Sequence, residues 1–477
     1  MEAYPMYDVI IIGAGVTGSI IAHNLSKYNL KVCVLERHSD VAEGATCANS
    51  AVVHSGHDPK SGTLKAKFNV LGNRMYRKFC EELQIEFKEI GAFVVATTEE
   101  EEKTLETLIN NCIERDIPYD VLTGDEAREI EPNLSDNVSK ALSLPTTGMI
   151  EPWEVSIASM EEAMLNGVEL MLNHEVKKIE KYDDHFKVDD IEGKVVINCA
   201  GIYADKIAGM VDSHPYKIIP RKGEYYILDH TGEPLVKHII YPVPSAKGKG
   251  VLAIPTIHNN ILLGPNSDVI EDKDDTSTGS GLDYVKSEIV KTMKNIPFNK
   301  MIHTYAGIRP TPDTHDFYIK EDDNVKNFIH VGGIESPGLA SSPAIAKEVC
   351  DNIVLPKFNP TPKENYIRRK PFIRMSKMTN EEKNELIRKD SDFGVLVCRC
   401  EKISLGEIKD VINRKCGATT IKGVKKRCRP GMGRCQGGFC EPEVVKILEK
   451  ELGIDPMSIR QKDIGSEIFT SNAKEDL

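Results

Sequence analysis

The first forty residues alternate a buried apolar run, a glycine-rich turn, a helix and a second apolar run. Tyr7–Ile12 is a β-branched segment with the character of a buried strand, and residues 19–28 have the pattern of a helix. A second strand is expected at residues 31–35. Apolar runs at residues 194–201 and 328–333 predict two further buried strands. Strands that alternate with helices in this way predict an α/β fold.

The turn after the first strand carries a specific glycine spacing. It reads Gly13-Ala-Gly15-Val-Thr-Gly18, and the second strand ends at Glu36. Gly13 permits the tight turn, Gly15 lets the backbone approach a pyrophosphate at the helix N-terminus, and Gly18 lets helix and strand pack closely. Glu36 can accept hydrogen bonds from ribose hydroxyls. This spacing favours a dinucleotide site over a glycine-rich structural turn, and it leaves FAD and NAD open.

A helix is expected after the strand at residues 328–333. Ser342 before Pro343 has the pattern of an N-cap followed by proline at the first helical position, which predicts a helix over residues 344–352. Beside a flavin, the N-terminus of this helix would stabilise the negative charge of the reduced ring. The alternative is an ordinary packing helix of the sheet.

The chain divides into a long body and a short cysteine-bearing module at about residues 394–455. Residues 356–393 connect them and residues 456–477 form a tail. Prolines without apolar periodicity indicate that the connection is an ordered linker or a wrapping arm. Within it, Thr379-Asn-Glu-Glu382 is a capping-box pattern that predicts a short polar helix through Lys389. Body and module are expected to be separable at this linker.

Composition excludes several classes of protein. The 477 residues carry 61 Lys and Arg against 73 Asp and Glu, a net charge of −12 that disfavours nucleic acid as the main partner. No run of about 18 uncharged apolar residues occurs, so no transmembrane helix is expected, and the N-terminus lacks the basic region of a signal peptide. Twelve cysteines are too sparse for a disulfide scaffold and indicate reduced thiols. We therefore expect a cytoplasmic protein.

Four cysteines of the C-terminal module form two close pairs. Cys398 and Cys400 are followed, after a gap of 34 residues, by Cys435 and Cys440. Four convergent thiolates suit a [2Fe–2S] cluster, and a structural Zn²⁺ is the alternative.

The stretch between these pairs is strongly basic. Residues 398–440 hold eleven basic residues against three acidic ones, a net charge of +8 in a chain of −12. Part of this charge can offset an anionic cluster, and the rest could recruit an acidic partner. Nucleic acid is disfavoured here because no aromatic stacking platform accompanies the basic residues. Cys416 and Cys428 fall outside the paired pattern and could substitute for one of the four ligands.

Five separated motifs of the body resemble those of a flavoprotein superfamily. Besides the opening glycine motif, they are Ala45-Thr-Cys-Ala-Asn49-Ser50-Ala-Val-Val-His54-Ser-Gly56, Lys60-Ser-Gly-Thr-Leu-Lys65-Ala-Lys67, Pro220-Arg221-Lys-Gly-Glu224-Tyr225-Tyr226 and Tyr305-Ala-Gly-Ile-Arg309-Pro310. Together they resemble the FAD-dependent D-amino-acid oxidase-like superfamily. The nearest branch is the glycerol-3-phosphate dehydrogenases and oxidases, with L-2-hydroxyglutarate oxidases close by. The resemblance covers residues 5 to about 353.

The resemblance implies a fold and a cofactor. The fold is α/β: a Rossmann-like FAD-binding domain with an inserted mixed-sheet substrate domain, plus a small C-terminal iron–sulfur module. Within a body of residues 1–355, the FAD-binding pieces would be about 1–80, 150–210 and 320–355, and the substrate domain about 80–150 and 210–320. The opening motif would bind FAD rather than NAD. Further FAD contacts are expected from Arg37, Thr46, Asn49, Ser50, Val176, Gly201, Gly333, Gly338 and Leu339.

Four residues of the body are candidates for the chemistry. His54 is the candidate general base, because neutral imidazole can accept the proton of a secondary alcohol near pH 7, and the alternative is a structural core histidine. Arg309 offers a bidentate fork for a phosphate or carboxylate, unless it lies in a surface loop. Lys249 matches a substrate-side lysine of glycerol-3-phosphate oxidases, and Ser336 matches a serine near their flavin.

The C-terminal module resembles a second family. Residues 397–401 and 431–440 are similar to the bacterioferritin-associated ferredoxin-like domain, which binds [2Fe–2S] and is also fused to anaerobic glycerol-3-phosphate dehydrogenase subunits. The two resemblances imply oxidation of glycerol-3-phosphate to dihydroxyacetone phosphate. Electrons would pass through the cluster to a flavoprotein or iron–sulfur partner subunit, through which the chain could associate peripherally with a membrane. Alternatives are an L-2-hydroxyglutarate dehydrogenase or oxidase, and a non-catalytic iron–sulfur electron-transfer protein.

Overall fold

A computed structural model describes residues 6–230, 232–244 and 250–471. The strands in chain order are β1 Tyr7–Ile12, β2 Val32–Leu35, β3 Val52–Val53, β4 Phe87–Glu89, β5 Ala92–Ala96, β6 Asp120–Thr123, β7 Lys140–Leu144, β8 Gly148–Ile150, β9 Glu169–Met171, β10 Ile179–Lys181, β11 Phe186–Val188, β12 Ile191–Asn198, β13 Ile218–Leu228, β14 Ile239–Pro242, β15 Leu252–Pro255, β16 Ile261–Gly264, β17 Asp268–Val269, β18 Met301–Pro312, β19 Tyr318–Glu321, β20 Phe328–Gly332, β21 Leu396–Cys398 and β22 Ile403–Ser404. The α-helices are α1 Val16–Leu25, α2 Leu64–Leu83, α3 Glu99–Glu114, α4 Gly124–Ile130, α5 Pro152–Leu165, α6 Ala204–Gly209, α7 Gly279–Thr292, α8 Gly338–Glu348, α9 Leu355–Phe358, α10 Asn380–Lys389, α11 Leu405–Ile412, α12 Ile421–Cys428 and α13 Glu441–Leu452. Within the ranges that the structure describes, no helix combines the length and the apolar character that crossing a membrane requires.

The first sheet is built around parallel strands in the order β20, β12, β1, β2 and β9. β11 pairs antiparallel with β12, and β19 pairs antiparallel with β20. β2 and β20 are buried along their whole length. Helices α1, α5 and α8 share one hydrophobic core with Val9 and Ile11 of β1. The four strands predicted from the apolar runs are all present in this sheet, and the α/β fold class is confirmed.

Helix α8 begins earlier than predicted. It starts at Gly338 and holds Pro343 inside, so the prediction of an N-cap at Ser342 is wrong. Proline lacks the N–H that would bond the carbonyl of Leu339, four residues back. The hydroxyls of Ser342 and Tyr76 donate to that carbonyl instead, at 2.8 and 3.0 Å. Proline is therefore tolerated in the second turn, and the helix extends six residues further toward its N-terminus than predicted.

The second sheet has nine strands. Its order is β17, β13, β16, β15, β14, β5, β7 and β6, with β18 on the other side of β13. β14 and β5 are parallel and their neighbours antiparallel, so the inserted sheet is mixed, as the resemblance implies. In the long ladder of β13 and β18, Arg221 lies opposite Arg309, which places Arg309 in a strand and not in a surface loop. The exact domain boundaries stay a prediction.

The linker wraps the body as an arm. Its helix α10 begins at the predicted capping box, in which Thr379 and Glu382 cap each other. Arg369, although charged, is buried, and it donates to Glu161 at 2.8 Å and to the carbonyl of Leu83 at 2.9 Å. Polar contacts of Arg369 therefore hold this part of the linker against the body.

The C-terminal module joins the core of the body. It consists of the β21–β22 hairpin and helices α11, α12 and α13. Its Val424 and Ile408 belong to the same hydrophobic core as Val41 and Ile20 of the first sheet and its helices. The two parts thus share one apolar interior, which argues against a separable module, and the separation at the linker stays a prediction.

Candidate functional site

A cavity of about 1080 Å³ runs between the two sheets. Most of the residues predicted to contact cofactor or substrate line it: Gly13, Gly15, Gly18, Glu36, Arg37, Thr46, Asn49, Ser50, His54, Val176, Gly201, Arg309, Ser336, Gly338 and Leu339. Gly333 does not line the cavity and packs instead against Pro312. Lys249 lies outside the described residues. The structure thus gathers residues that are hundreds of positions apart in the chain around one space.

One end of the cavity is formed by the glycine turn and the end of β2. Gly13 has φ +103°, a conformation that side chains disfavour, and a Cβ at Gly18 would collide with the carbonyl oxygen of Gly13. The Glu36 carboxylate accepts the backbone N–H of Ala14 at 2.8 Å and that of His38 at 3.0 Å. Burial raises the pKa of Glu36, and these N–H groups oppose the rise. The geometry fits the ribose and pyrophosphate of a dinucleotide.

The cavity wall continues after Glu36 with Thr46, Asn49 and Ser50. The N–H of Val16, at the start of α1, donates to the Thr46 hydroxyl at 3.0 Å, which leaves the hydroxyl proton available for a phosphate oxygen. Further on, the hydroxyls of Ser50 and Tyr225 lie 3.0 Å apart, and Tyr305 donates to the carbonyl of Asn49 at 2.8 Å. These bonds tie the segment to β13 and β18 of the second sheet.

The N-terminus of α8 closes the opposite wall. Gly338 and Leu339 line the cavity in the first turn of the helix, and Ser336 lies just before it. The unpaired N–H groups of a first helical turn favour negative charge. The wall is therefore suited to the anionic edge of a reduced flavin.

His54 lies directly after β3, with its side chain buried at the cavity wall. Its Nδ1 is 2.9 Å from the hydroxyl of Tyr241 on β14, and Asn69 donates to its carbonyl at 2.7 Å. Burial raises the pKa of Tyr241 well above its ordinary value, and the nearby charge of Asp58 adds to the rise. Because Tyr241 occupies Nδ1, proton exchange with the cavity has to use Nε2.

Two arginines form a cationic part of the cavity wall. Arg221 and Arg309 lie directly opposite each other on β13 and β18, and both line the cavity. Like charges at this position of a ladder are unfavourable unless an anion offsets them. Nε of Arg221 and Nη1 of Arg309 are buried without a hydrogen-bond partner among the described residues. Such orphaned donors fit a phosphate or carboxylate.

The four paired cysteines converge in the C-terminal module. Sγ of Cys400 lies 3.8 Å from Sγ of Cys398 and 3.8 Å from Sγ of Cys435. This is close to the separation of two thiolates that share a tetrahedral metal with bonds of about 2.3 Å.

The other two cysteines of the module lie elsewhere. The Sγ of Cys416 is 3.8 Å from Nη2 of Arg427, and Cys428 donates to the carbonyl of Val424 at 3.6 Å. Both are buried, and burial raises the pKa of each thiol. Both thiols thus contact residues of helix α12, and their exclusion from the ligand set stays a prediction.

The sequence did not identify Arg221 and Tyr241 as site residues, and it did not show which groups the basic side chains of the module contact. Arg221 was part of a resembling motif, but only its register against Arg309 shows that it faces the cavity. Tyr241 carries no motif and is found only through its contact with His54. Many of the module's basic side chains contact carboxylates of the body, which charge counting cannot show: Arg414, Lys422, Lys426, Arg427, Arg429 and Arg434.

Comparison with known proteins agrees with this geometry. Residues 8–352 match the FAD dependent oxidoreductase family, and residues 396–450 match the BFD-like [2Fe-2S] binding domain. A glycerol 3-phosphate dehydrogenase of Caloramator mitchellensis is 44% identical over 99% of this chain and 100% of its own length. An L-2-hydroxyglutarate dehydrogenase of Indibacter alkaliphilus is 30% identical, over 72% of this chain and 98% of its own. The FAD-bound L-α-glycerophosphate oxidase of Mycoplasma pneumoniae superposes with a TM-score of 0.74 at 29% identity, covering 78% of this chain and all of its own.

Proposed function

Because this chain belongs to the FAD dependent oxidoreductase family, we propose that it oxidises glycerol 3-phosphate to dihydroxyacetone phosphate and passes the electrons on through its [2Fe–2S] cluster. The observation that carries the proposal is the pair of arginines opposite each other at the cavity wall. Their orphaned nitrogens present a fork of donors to one anionic group, and a phosphate dianion matches two guanidinium charges. The 44% identical relative, named a glycerol 3-phosphate dehydrogenase, supports this choice of anion.

In the proposed reaction, Arg221 and Arg309 hold the phosphate and thereby orient the secondary alcohol toward His54. Nε2 of His54 takes the hydroxyl proton, while Tyr241 holds the other ring nitrogen. Bound FAD would supply the acceptor for the hydride that leaves the carbon carrying this hydroxyl group. The N–H groups at the start of α8 favour the negative charge that this transfer produces. Proton and hydride thus leave the substrate toward two different walls of the cavity.

The surface around the cluster supports a protein as the next electron carrier. Cys400 is exposed, and Phe439, beside the ligand Cys440, is 83% exposed. Arg399 and Lys402 are exposed on the same loop as Cys400. An exposed aromatic side chain rimmed by basic residues suits transient docking of an acidic partner that carries a flavin or an iron–sulfur cluster. None of the twelve cysteines, all of them in the described ranges, forms a disulfide, which supports the cytoplasmic location that we include in the proposal.

An anaerobic titration tests the proposal. Glycerol 3-phosphate should bleach the flavin absorption and then produce the electron paramagnetic resonance signal of a reduced cluster. L-2-hydroxyglutarate serves as the competing substrate. If only L-2-hydroxyglutarate bleaches the flavin, the proposed substrate is wrong. If neither compound does, the chain is a non-catalytic electron carrier, and a bleached flavin beside an oxidised cluster would refute the electron route.

The candidate base is tested on the same reaction. His54→Gln should slow flavin reduction by roughly 10²–10⁴-fold, as is typical for loss of a positioned acid–base group. His57→Gln is the matched control, because His57 is a buried neighbour that does not line the large cavity. Equal rates for the two variants would remove His54 from the proposed mechanism.

A further inference from the structure

Residues 36–38, 43–46 and 48–50 line the cavity, and we call the whole stretch of residues 36–50 the cofactor segment. Its ends are Glu36, at the ribose end, and Ser50, at the flavin end, with Thr46 between them. The N–H of Ala42 donates to the carbonyl of Ala14 at 3.0 Å and so holds the segment against the glycine turn. The position of this segment therefore sets the shape of the cofactor site along most of its length.

The C-terminal module forms ion pairs with the middle of the cofactor segment. Asp40 is buried, and its carboxylate accepts hydrogen bonds from both terminal nitrogens of Arg427, at 2.7 and 2.8 Å. Nζ of Lys426 lies 2.9 Å from the same carboxylate. Both cations belong to helix α12, which lies nearly four hundred residues later in the chain than their partner.

A second carboxylate of the segment is held by the same helix. Nζ of Lys426 also lies 2.7 Å from Glu43 and donates to the carbonyl of Val41 at 2.6 Å. Lys422, one turn earlier, lies 2.6 Å from the other oxygen of Glu43. The three cations of α12 thus engage both carboxylates and one backbone carbonyl of the cofactor segment.

The tail beyond the module adds a further contact. Asp463 accepts the N–H of Ser39 at 3.1 Å and lies 3.0 Å from Nδ1 of His38. The hydroxyl of Ser39 donates to the carbonyl of Lys462. Residues 38–43 are therefore held from outside the cavity by two different parts of the C-terminal region.

Removing these contacts would leave charges buried. Arg427 is fully buried, so either member of its pair with Asp40 would lose its compensation if the other moved away. Burial alone would raise the pKa of Asp40, and the charges of Arg427 and Lys426 outweigh it, which holds the pKa well below its ordinary value. The docked module thus stabilises one particular conformation of the cofactor segment.

We propose that docking of the iron–sulfur module and binding of FAD are coupled through residues 38–43. Anything that favours the cavity-forming conformation of this segment favours both events, and coupling between two sites is reciprocal. The inference rests on the placement of FAD along the cofactor segment, and it does not depend on which substrate is oxidised. It gives the module a role in forming the flavin site in addition to carrying electrons.

The test compares two arginines of the module, of which Arg427 is buried and Arg414 is partly buried. Arg427→Gln removes the contact with the cofactor segment, whereas Arg414→Gln removes a contact with Glu161 on α5, away from it. The full-length apoprotein of each variant is titrated with FAD, and the quenching of flavin fluorescence gives the dissociation constant. We expect Arg427→Gln to weaken FAD binding by about 5- to 150-fold, the usual range for coupled sites, and Arg414→Gln to bind like the parent. Equal dissociation constants for the two variants would overturn the proposal.

Three further measurements keep the result interpretable. Iron content reports whether the module has folded, and if Arg427→Gln fails to fold, Lys422→Met replaces it, because Lys422 is partly exposed. Thr46→Val tests the placement of FAD itself: if this variant binds FAD normally, the placement is wrong, and the coupling fails with it. Hydrogen exchange gives the reciprocal readout. FAD should slow exchange in residues 421–428, and unchanged exchange there would contradict the coupling.

Discussion

The hydroxyl of Tyr241 lies 2.9 Å from Nδ1 of His54, and both side chains are buried. This hydrogen bond governs which ring nitrogen of His54 carries the proton. When the Tyr241 oxygen accepts Nδ1–H, Nε2 is the ring nitrogen that the proposed mechanism uses as the base, and the charge that forms on the ring keeps Tyr241 as a partner. Tyr241 is therefore a positioning residue for the candidate base.

Replacing Tyr241 by phenylalanine should slow flavin reduction without abolishing it. The change removes the hydroxyl that bonds Nδ1 of a buried histidine. This costs about 1–3 kcal/mol, which corresponds to a rate loss of roughly 5- to 150-fold. Tyr216→Phe is the matched control, because Tyr216 also lies against Nδ1 of a buried histidine, His330, at 3.3 Å, but neither residue lines the cavity. Stopped-flow absorption measures both variants, and a Tyr241→Phe rate equal to that of the control would contradict this role.

Loss of either cavity arginine should weaken substrate binding more than it slows the chemical step. Removing a charge-assisted contact costs about 1.5–3 kcal/mol, so Arg309→Ala and Arg221→Ala should each raise the substrate concentration for half-maximal flavin reduction by roughly 10- to 150-fold. Arg128→Ala, which removes an arginine outside the cavity wall, is the control. Unchanged half-saturation in both variants would exclude an anion site between them.

Iron content should distinguish the paired cysteines from the other cysteines of the module. A [2Fe–2S] cluster carries about two irons per chain. Cys435→Ser removes one of the converging thiols, so we expect this variant to lose that iron. Cys428→Ser should retain them, because Cys428 bonds only the carbonyl of Val424 in the described structure. Iron and zinc assays on anaerobically purified protein decide the matter, and stoichiometric zinc without iron would refute the cluster.

Acid should weaken the attachment of the module to the cofactor segment. The pKa values of Asp40 and Glu43 are held below their ordinary values, since Lys and Arg charges outweigh their burial. A lowered pKa in the folded state stabilises the fold above the unfolded-state pKa, about 4, and this stabilisation is lost as the pH falls toward the folded-state pKa. The free energy of unfolding in urea should therefore decline below about pH 4.

A double variant isolates this contribution. Asp40→Asn/Arg427→Met removes the titrating carboxylate together with its buried partner, so no lone charge remains. Its free energy of unfolding should fall less steeply between pH 4 and pH 3 than that of the parent. The same slope in both proteins would mean that Asp40 contributes nothing to acid sensitivity.

The parts predicted from sequence are those with a local physical cause. The turn Gly13–Gly18, the strand before it and Glu36 depend on contacts within about thirty residues, so their pattern is visible in the chain. The same holds for the capping box at Thr379, whose two hydrogen bonds join residues three apart. Short-range chemistry of this kind can be read without knowing the tertiary structure.

The parts that sequence did not predict depend on distant partners. The early start of α8 requires hydroxyls around the carbonyl of Leu339, one of which comes from α2. Arg221 becomes a site residue only through its register with Arg309. The basic residues of the module were expected to face a cluster or an acidic partner, and Arg427 instead contacts Asp40 at the opposite end of the chain.

The proline in α8 has a consequence for how the protein is made. The carbonyl that Pro343 leaves without an N–H donor is bonded by Tyr76, which precedes Leu339 by 263 residues. A ribosome that adds 5–20 residues per second needs roughly 13–50 seconds to proceed from Tyr76 to Leu339. During that interval a nascent chain contains the glycine turn but cannot build the opposite wall of the cavity. We therefore expect newly made protein to acquire FAD only after synthesis has passed α8, which pulse-labelled chains captured with their ribosomes would show.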